Sequence, residues 1–333
     1  QRTYVLSNFQ DIYPHFLKHY IALNLPPEAE YKSVGSVIQF IKYDDLANFL
    51  IPYPDMCTQI RIANFLDQKC SEIDSLSADI QSQIDVLKEY KKSVITEAVT
   101  KGLNPDVEMK DSGIEWIGMI PKHWSCKRLK HCLDKNTIKM RVGPFGSALS
   151  GSDIQESGCW VYNQRCVLDK NFNTNDTFVS EEKFNELQAF EVFENDVLIT
   201  TRGTIGKVAV VPKNAPKGVL HPCIIKFIPD KKIINNRLIE YIFNNSDIVL
   251  NQILYKSNST TIEVIYSYSL KEIYLPIMPP SEQQQIIDYL DIKCAEIDAI
   301  ITDKKAQLET LAEYKKSLIY EYVTGKKEVP ENV

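Results

Sequence analysis

The sequence has few glycines and no long apolar run, and both shortages limit what it can do. Only 12 of its 333 residues are glycine, and neither the P-loop pattern nor G-x-G-x-x-G occurs, which argues against a glycine-rich loop that cradles phosphate. The longest apolar stretch is far shorter than the roughly 20 residues needed to cross a bilayer. We therefore expect no membrane contact and a cytoplasmic, non-secreted protein.

The eight cysteines and five histidines lack the spacing of a metal site. No C-x-x-C or C-x-x-H occurs, the histidines are not expected to form a ligand pair at helical spacing, and no G-x-S-x-G elbow is present. Asp176, Glu181 and Lys183 form a nuclease-like pattern that arises by chance in charged chains, so an exposed acidic turn is favoured there. The sequence predicts neither a bound metal nor catalysis.

The chain also lacks an excess of positively charged residues. The chain has 38 basic and 44 acidic residues, a net charge of −6, which argues against binding nucleic acid through bulk charge. The local sums differ, because residues 121–145 and 199–234 each carry seven bases against one acid, whereas residues 150–198 carry ten acids against three bases. If the two basic segments fold together, they make a phosphate-facing surface; the alternative is solvated loops neutralised by ion pairs.

An internal repeat organises the chain. A shift of 224 residues aligns 31–100 with 255–324 without a gap, and 28 of the 70 positions are identical. Each copy ends in a helical pattern of about 40 residues that begins after a proline and ends before a glycine. A helix this long cannot bury its apolar stripe against one compact domain, so the two are predicted to pair as an antiparallel coiled coil. The predicted pairing residues are Leu66, Cys70, Ile73, Ile84, Leu87, Leu290, Cys294, Ile297, Leu308 and Leu311.

The region between the copies is predicted to be a mixed globular domain, which makes the chain an α+β protein. Strands are predicted at 158–162, 196–201, 207–211 and 223–228, and an amphipathic helix at 237–252, with a weaker echo at 13–22. Short strands are also predicted at 273–276 and 49–52.

Three polar turns carry the residue types that read bases, since arginine pairs with guanine and asparagine or glutamine with adenine. We name them the GPFGS turn (143–147), the YNQR turn (162–165) and the TTRGT turn (200–204). The predicted DNA contacts are Lys139, Arg141, Ser147, Tyr162, Asn163, Gln164, Arg165, Thr200, Thr201, Arg202, Thr204 and Lys207.

Together these motifs resemble the specificity subunit of type I restriction-modification enzymes. The resemblance rests on Asp111–Trp124, Arg128-Leu129, Gly143–Ser147, Val161–Arg165, Glu194–Lys207 and Pro279–Ile286. It implies two target-recognition domains that each read half of a bipartite DNA site, held apart by the paired long helices.

The resemblance also implies the partners. They are double-stranded DNA, two methyltransferase subunits that dock on the long helices and bind S-adenosylmethionine, and restriction subunits that use ATP and Mg. The chain itself would bind no cofactor and catalyse no reaction. A homodimer through the long helices is a further expectation.

The chain departs from the family at its N-terminal end, where only about 55 residues precede the first long helix. We therefore interpret 1–55 as the last part of a first recognition domain, 56–102 as the first spacer helix, 103–278 as a complete recognition domain, 279–325 as the second spacer helix and 326–333 as a tail. An alternative function is a protein scaffold or remnant subunit that binds the methyltransferase without DNA specificity.

Overall fold

The computed structural model describes residues 5–32, 42–135, 140–257 and 264–330. They form an α+β fold, as predicted, which divides into two compact units: Gln1–Leu87 with Asp298–Val333, and Lys88–Ile297. The division passes through both long helices. No helix in the described ranges is long and apolar enough to cross a membrane.

The helices of the described residues are α1 (Pro14–Lys32), α2 (Tyr43–Ala47), α3 (Met56–Lys101), α4 (Gln164–Leu168), α5 (Glu181–Glu186), α6 (Asn236–Asn245), α7 (Ile248–Ser257), α8 (Ser267–Lys271) and α9 (Pro280–Val323). The strands are β1 (Met109–Asp111), β2 (Met119–Pro121), β3 (Ser125–Arg128), β4 (Met140–Val142), β5 (Cys159–Tyr162), β6 (Phe178–Val179), β7 (Val197–Thr200), β8 (Val208–Val210), β9 (Gly218–Leu220), β10 (Ile224–Phe227) and β11 (Tyr274–Ile277).

The two predicted long helices are α3, with 46 residues, and α9, with 44. At 1.5 Å per residue each is about 65–70 Å long. Pro280 is the first residue of α9, where its missing N–H costs no hydrogen bond. Gly102 follows α3 with a φ of +77° and Gly325 follows α9 with a φ of +70°, a left-handed conformation that ends a helix and that glycine adopts without strain.

In the first unit, α3 and α9 run antiparallel. Lys315 Nζ lies 2.6 Å from Asp74 Oδ1, and the rings of Phe65 and Tyr322 lie 4.6 Å apart. Of the predicted pairing residues in this unit, four are buried (Leu66, Cys70, Ile73 and Ile84) and three are half-buried (Leu87, Leu308 and Leu311).

In the second unit, the C-terminal part of α3 and the N-terminal part of α9 share one apolar cluster. Ile95 and Ala98 of α3 pack in it with Leu290 and Cys294 of α9, and the predicted pairing residue Ile297 is also buried. The prediction of paired long helices is confirmed.

The second unit also holds the sheets. The largest has the antiparallel order β4-β10-β7-β8, and a second has the order β6-β5-β9 with β5 and β9 parallel. β11 pairs with β3, and β1 pairs with β2. The five strands predicted in this unit appear as β5, β7, β8, β10 and β11, whereas six strands of two to four residues were not predicted because so short a segment carries no periodicity.

Two predicted elements differ in the structure. The helix predicted at 237–252 is two helices, α6 and α7, because Ser246 ends α6 in an extended conformation and its hydroxyl bonds back to the Ile242 carbonyl. Residues 49–52 form no strand. Their repeat counterpart is in β11, which pairs with β3, and no strand pairs with 49–52 in the described part of the chain.

A buried glutamine holds the start of each long helix in the same way. Gln283 Oε1 accepts from the backbone N–H of Asn235 at 2.7 Å, and its Nε2 donates to two carbonyls, at 2.8 and 3.0 Å. Gln59 Oε1 accepts from the N–H of Tyr13, also at 2.7 Å, and its Nε2 likewise donates to two carbonyls. The repeat seen in the sequence is therefore also a repeat of tertiary contacts.

A carboxylate on each long helix repeats this equivalence. Asp67 of α3 accepts from His15 Nδ1 and His19 Nε2, both at 2.8 Å. The matching Asp291 of α9 accepts from Arg237 and Tyr241 of α6. His15 and His19 do lie four residues apart on α1, the spacing that a pair of metal ligands on a helix would have. Both bond to a carboxylate, and no group of three His, Cys, Asp or Glu residues among the described ones is arranged to hold a metal.

Replacing Asp67 by asparagine is expected to destabilise the protein by about 1–2 kcal/mol at pH 7, because two donors lose a charged acceptor. Burial favours the neutral form of Asp67, but hydrogen bonds from His15 and His19 outweigh it and lower its pKa. The carboxylate therefore contributes stability above its unfolded pKa near 4, and this is lost as pH falls through the lower folded pKa. Urea unfolding at several pH values should show the difference between wild type and D67N shrinking below about pH 4; a constant difference would contradict this.

Candidate nucleic-acid interface

Two of the three predicted turns meet at the backbone just before β10. The N–H of His221 donates to the carbonyl of Tyr162, in the YNQR turn, at 3.1 Å. The N–H and the hydroxyl of Thr201, in the TTRGT turn, donate to the carbonyl of Cys223 at 3.0 and 2.9 Å. Segments separated by about 40 residues in sequence are thus joined through one short stretch of backbone, 221–223.

The GPFGS turn reaches the same stretch. The N–H of Gly143 donates to the carbonyl of Ile224 at 2.9 Å. A Cβ atom at position 143 would lie 2.1 Å from the carbonyl oxygen of His221, so only glycine fits this close approach. Phe145, further along the turn, is 60% exposed. All three turns therefore converge on residues 221–224, which we call the connector.

The connector contributes no charge of its own at neutral pH. His221 is partly buried, and burial lowers its pKa. Its Nδ1 lies 3.2 Å from the backbone N–H of Cys223 and accepts from it, which fits the neutral ring with the proton on Nε2. The histidine thus acts as a turn-stabilising acceptor.

The YNQR and TTRGT turns also touch each other directly. Asn163 caps α4 by accepting from the N–H of Cys166 at 3.2 Å, a usual role for asparagine before a helix. Gln164, the first residue of α4, donates from Nε2 to the carbonyl of Thr204 at 3.3 Å. Arg202 and Thr204 are exposed, and no partner of the Arg202 side chain is found among the described residues. The surface formed here by Gln164, Arg165, Arg202 and Thr204 is the candidate interface.

Three predicted contacts lie inside the core, and we revise their role. Tyr162 is fully buried and donates its hydroxyl to the carbonyl of Pro216 at 2.5 Å, and burial raises its pKa. Thr200 is fully buried, its Oγ1 accepting from the N–H of Lys207 at 3.1 Å, and the buried Thr201 hydroxyl bonds to the connector. Side chains without exposed surface cannot reach a base, so these three position the turns.

Lys207 also points inward. Its Nζ donates to the carbonyl of Asn244 at 2.7 Å, and burial lowers its pKa. Arg141 of β4 lies over the ring of Phe190 at 5.6 Å, and its buried Nε has no partner among the described residues. We revise Lys207 to a structural role, whereas the outer part of Arg141 stays a predicted contact.

Two further predicted contacts are Lys139 and Ser147. Lys139 lies outside the described residues. Ser147 lies in the short 3-10 helix Gly146–Ala148, but its side chain is outside what the structure describes.

The two basic segments fold together, since Arg141 of β4 pairs with Lys226 of β10. Much of their charge is nevertheless neutralised. Arg128 and Lys130 both pair with Glu272, at 2.8 and 2.6 Å, and the buried Lys226 pairs with Asp196 at 2.7 Å. The remaining exposed bases, including Arg202, are therefore the ones available to contact DNA.

Two exposed tyrosines near the TTRGT turn could not be predicted from the sequence. The backbone of Arg202 bridges to Val264, and the N–H of Ile265 donates to Thr201. Immediately afterwards Tyr266 and Tyr268 stack with ring centroids 5.5 Å apart, and both are more than half exposed. Aromatic residues two apart are common in buried strands, so their exposure could not be predicted.

The nuclease-like set does not assemble. Asp176 pairs with Arg165 at 2.9 Å, Lys183 with Glu186 at 3.0 Å, and Glu181 lies 3.9 Å from Lys217. Each acid or base thus has its own partner.

Comparisons with known proteins agree with the motifs. Residues 152–310 match the family described as the type I restriction modification DNA specificity domain. The chain is 24% identical over 264 residues to the EcoBI specificity subunit of Escherichia coli, which covers 77% of this chain and 53% of that protein. It is 24% identical over 297 residues to the MjaVIII specificity subunit of Methanocaldococcus jannaschii, covering 88% and 65%. The chain thus spans about half to two thirds of the length of these relatives.

The fold agrees as well. One solved structure with a similar fold is described as the structural basis of complex assembly and conformational transition of the type I restriction-modification system. A chain of that structure superposes on this one with a TM-score of 0.69 at 15% identity, and the match covers 94% of this chain and 71% of that one. This likeness is one of fold and extends over nearly the whole chain. Residues 152–310 thus match the DNA specificity domain of type I restriction-modification systems, and the chain is similar over most of its length to specificity subunits of type I restriction enzymes.

Proposed function

We propose that this chain recognises one half of a bipartite DNA sequence with residues 103–278, using the surface where the YNQR and TTRGT turns meet. The observation that carries this proposal is the convergence of three polar turns on the connector. Three separate segments, each chosen from sequence for its base-reading residues, are held together by backbone hydrogen bonds and by a close approach that only glycine allows.

Direct readout explains which residues we assign to bases. Arg202 and Arg165 are exposed and present the planar fork that pairs with O6 and N7 of guanine. Gln164, which contacts the backbone of Thr204, carries an amide that suits adenine, and Thr204 offers a hydroxyl. Arg141 and Lys139 are assigned to phosphates, which fix position without reading sequence.

The long helices are proposed to dock two methyltransferase subunits. Several large apolar residues of α3 and α9 are exposed although both helices have a partner, among them Leu76, Val86, Tyr90, Ile292 and Tyr314. Exposed apolar patches mark protein-interaction sites, and we propose that these side chains form such patches and are covered by the methyltransferase subunits. In this proposal S-adenosylmethionine is bound by the methyltransferase, ATP and Mg by the restriction subunits, and this chain is not catalytic.

Replacing Arg202 by alanine tests the readout. We expect a loss of discrimination of about 10- to 100-fold at one base pair, since one bidentate contact carries about that much. Lys213→Ala is the control, because Lys213 is an exposed base of the same segment and should at most weaken binding equally for all sequences. The measurement is competition binding of the chain, with its methyltransferase partner, to duplexes that differ at single positions.

The same experiment distinguishes DNA recognition from the alternative function. The neutralised bases around Glu272 and Asp196 favour a scaffold that binds the methyltransferase without DNA specificity. Copurification with the methyltransferase and equal retention on all duplexes would support the scaffold and overturn the proposed recognition.

A further inference from the structure

An exposed ion pair stands at the edge of the candidate interface. Arg165 Nη1 donates to Asp176 Oδ2 at 2.9 Å, and the two side chains are 73% and 61% exposed. Exposed pairs of this kind contribute little to folding stability. A carboxylate beside DNA also repels phosphates and so weakens binding. Neither stability nor affinity accounts for Asp176 at this position.

Asp176 is held firmly although it is exposed. Its Oδ1 accepts from the hydroxyl of Thr177 at 2.9 Å and lies 3.4 Å from Nδ2 of Asn163. The same Nδ2 donates to Thr177 Oγ1 at 3.0 Å, and Asn163 caps α4. The carboxylate is thereby anchored to the helix whose second residue is Arg165.

The neighbouring loop is fixed as well. Asn175 donates from Nδ2 to the carbonyl of Thr177 at 2.7 Å, and Asn171 Oδ1 accepts from the N–H groups of Asn173 and Thr174 at 2.9 and 3.3 Å. The loop 171–177, which carries Asp176, is thus held in place by its own hydrogen bonds.

We propose that Asp176 is a positioning residue that orients Arg165 to read a guanine, and so determines specificity at one base pair. This rests on the proposed function. A guanidinium has five N–H donors, and the recorded bond to Asp176 uses one of them, so the others stay available for O6 and N7 of guanine. An unpaired arginine side chain can rotate between a base and the nearby phosphates. An arginine that is hydrogen-bonded to a fixed carboxylate presents its remaining N–H donors in one direction.

The charge state of Asp176 suits this role. The hydrogen bond from Thr177 has the largest effect on its pKa, slight burial opposes it, and the positive charge of Arg165 adds to the lowering. The net result is a lowered pKa, so the carboxylate stays ionised throughout the neutral range.

The test compares base preference, not affinity alone. Arg165→Ala should reduce discrimination about 10- to 100-fold at one base pair. Asp176→Ala and Asp176→Asn should reduce it several-fold or more at that same base pair, while affinity for unrelated DNA rises because a negative charge is lost. The double variant should discriminate no worse than Arg165→Ala, since both changes remove the same contact.

Asp169→Ala is the matched control. Asp169 is an exposed acid four residues after Arg165, at the C-terminal end of α4, and no ion pair joins it to Arg165 in the described structure. Its loss should raise affinity for all DNA without changing base preference. An unchanged preference profile in both Asp176 variants would overturn the assignment of Asp176 alone. A wild-type chain with no base preference would overturn the proposed function, and the assignment with it.

Discussion

Gly143→Ala is expected to destabilise the protein by about 3 kcal/mol or more, the upper end of the range for overpacking. The added Cβ would lie 2.1 Å from the His221 carbonyl oxygen and 3.1 Å from the Cα of Pro222. Both atoms belong to the backbone, so no side chain can rotate away. The measurement is urea or thermal unfolding of the full chain.

The same substitution should damage recognition before it unfolds the protein. The His221 carbonyl belongs to the connector, whose N–H and carbonyl groups hold the YNQR and TTRGT turns. A shift of the connector by even half an ångström moves both turns, so base preference should be lost in the folded fraction.

Gly151→Ala is the control for Gly143. No atom lies within 4 Å of a Cβ at position 151, and the φ there is not positive. Its unfolding free energy should stay within about 0.5 kcal/mol of wild type. Wild-type stability of Gly143→Ala would contradict the close packing of the GPFGS turn on the connector.

Gln283→Ala is expected to destabilise the protein by about 2–4 kcal/mol. The side chain is 3% exposed and bonds to the N–H of Asn235 and the carbonyls of Ile233 and Met278. Removing it leaves buried backbone groups without a partner, each costing about 1–3 kcal/mol. Urea unfolding measures the effect.

The chain provides two internal comparisons for this prediction. Gln284→Ala changes the next residue, which is exposed and bonds only to Asp288 among the recorded contacts, so little change is expected. Gln59→Ala removes the equivalent hydrogen bonds of the first copy and should lower the free energy of unfolding by a similar amount. If Gln283→Ala were as stable as Gln284→Ala, the hydrogen bonds of Gln283 would contribute nothing to stability.

The long-range organisation could be predicted from the sequence because it is repeated and periodic. The 28 identities among 70 aligned positions located both long helices, and α3 and α9 differ from the prediction mainly in length. Five predicted strands of the second unit formed because each has several consecutive apolar residues bounded by turns. The strand at 49–52 did not, because a strand needs a partner and the sequence alone could not supply one.

The echo at 13–22 indicated that α1 corresponds to α6, but the residues of these two helices that bond to Asp67 and Asp291 could not be matched by the same comparison. His15 and His19 correspond to Arg237 and Tyr241 at an offset of 222, not 224, so an alignment without gaps misses them. The residue types differ completely. What is shared is the acceptor, Asp67 or Asp291, and a carboxylate accepts equally well from imidazole, guanidinium or phenol.

Within the candidate interface, the sequence located the turns but not the direction of each side chain. Tyr162, Thr200 and Thr201 are polar residues at strand ends, and alternation there does not say which ones face the core. Lys207 shows the same limit, since its long side chain reaches back to the end of α6. In the sequence Asp176 is only one of a chance set of charges, because it is the fold that brings it to Arg165.

The most direct test of the central claim is to map methylated adenines in cells that express this chain with a type I methyltransferase partner. We predict methylation confined to one bipartite motif in the wild type, and relaxed discrimination at one base pair of one half-site in the Arg202→Ala variant. Methylation without a motif, or a motif that is identical in Arg202→Ala, would contradict recognition by the surface at the YNQR and TTRGT turns.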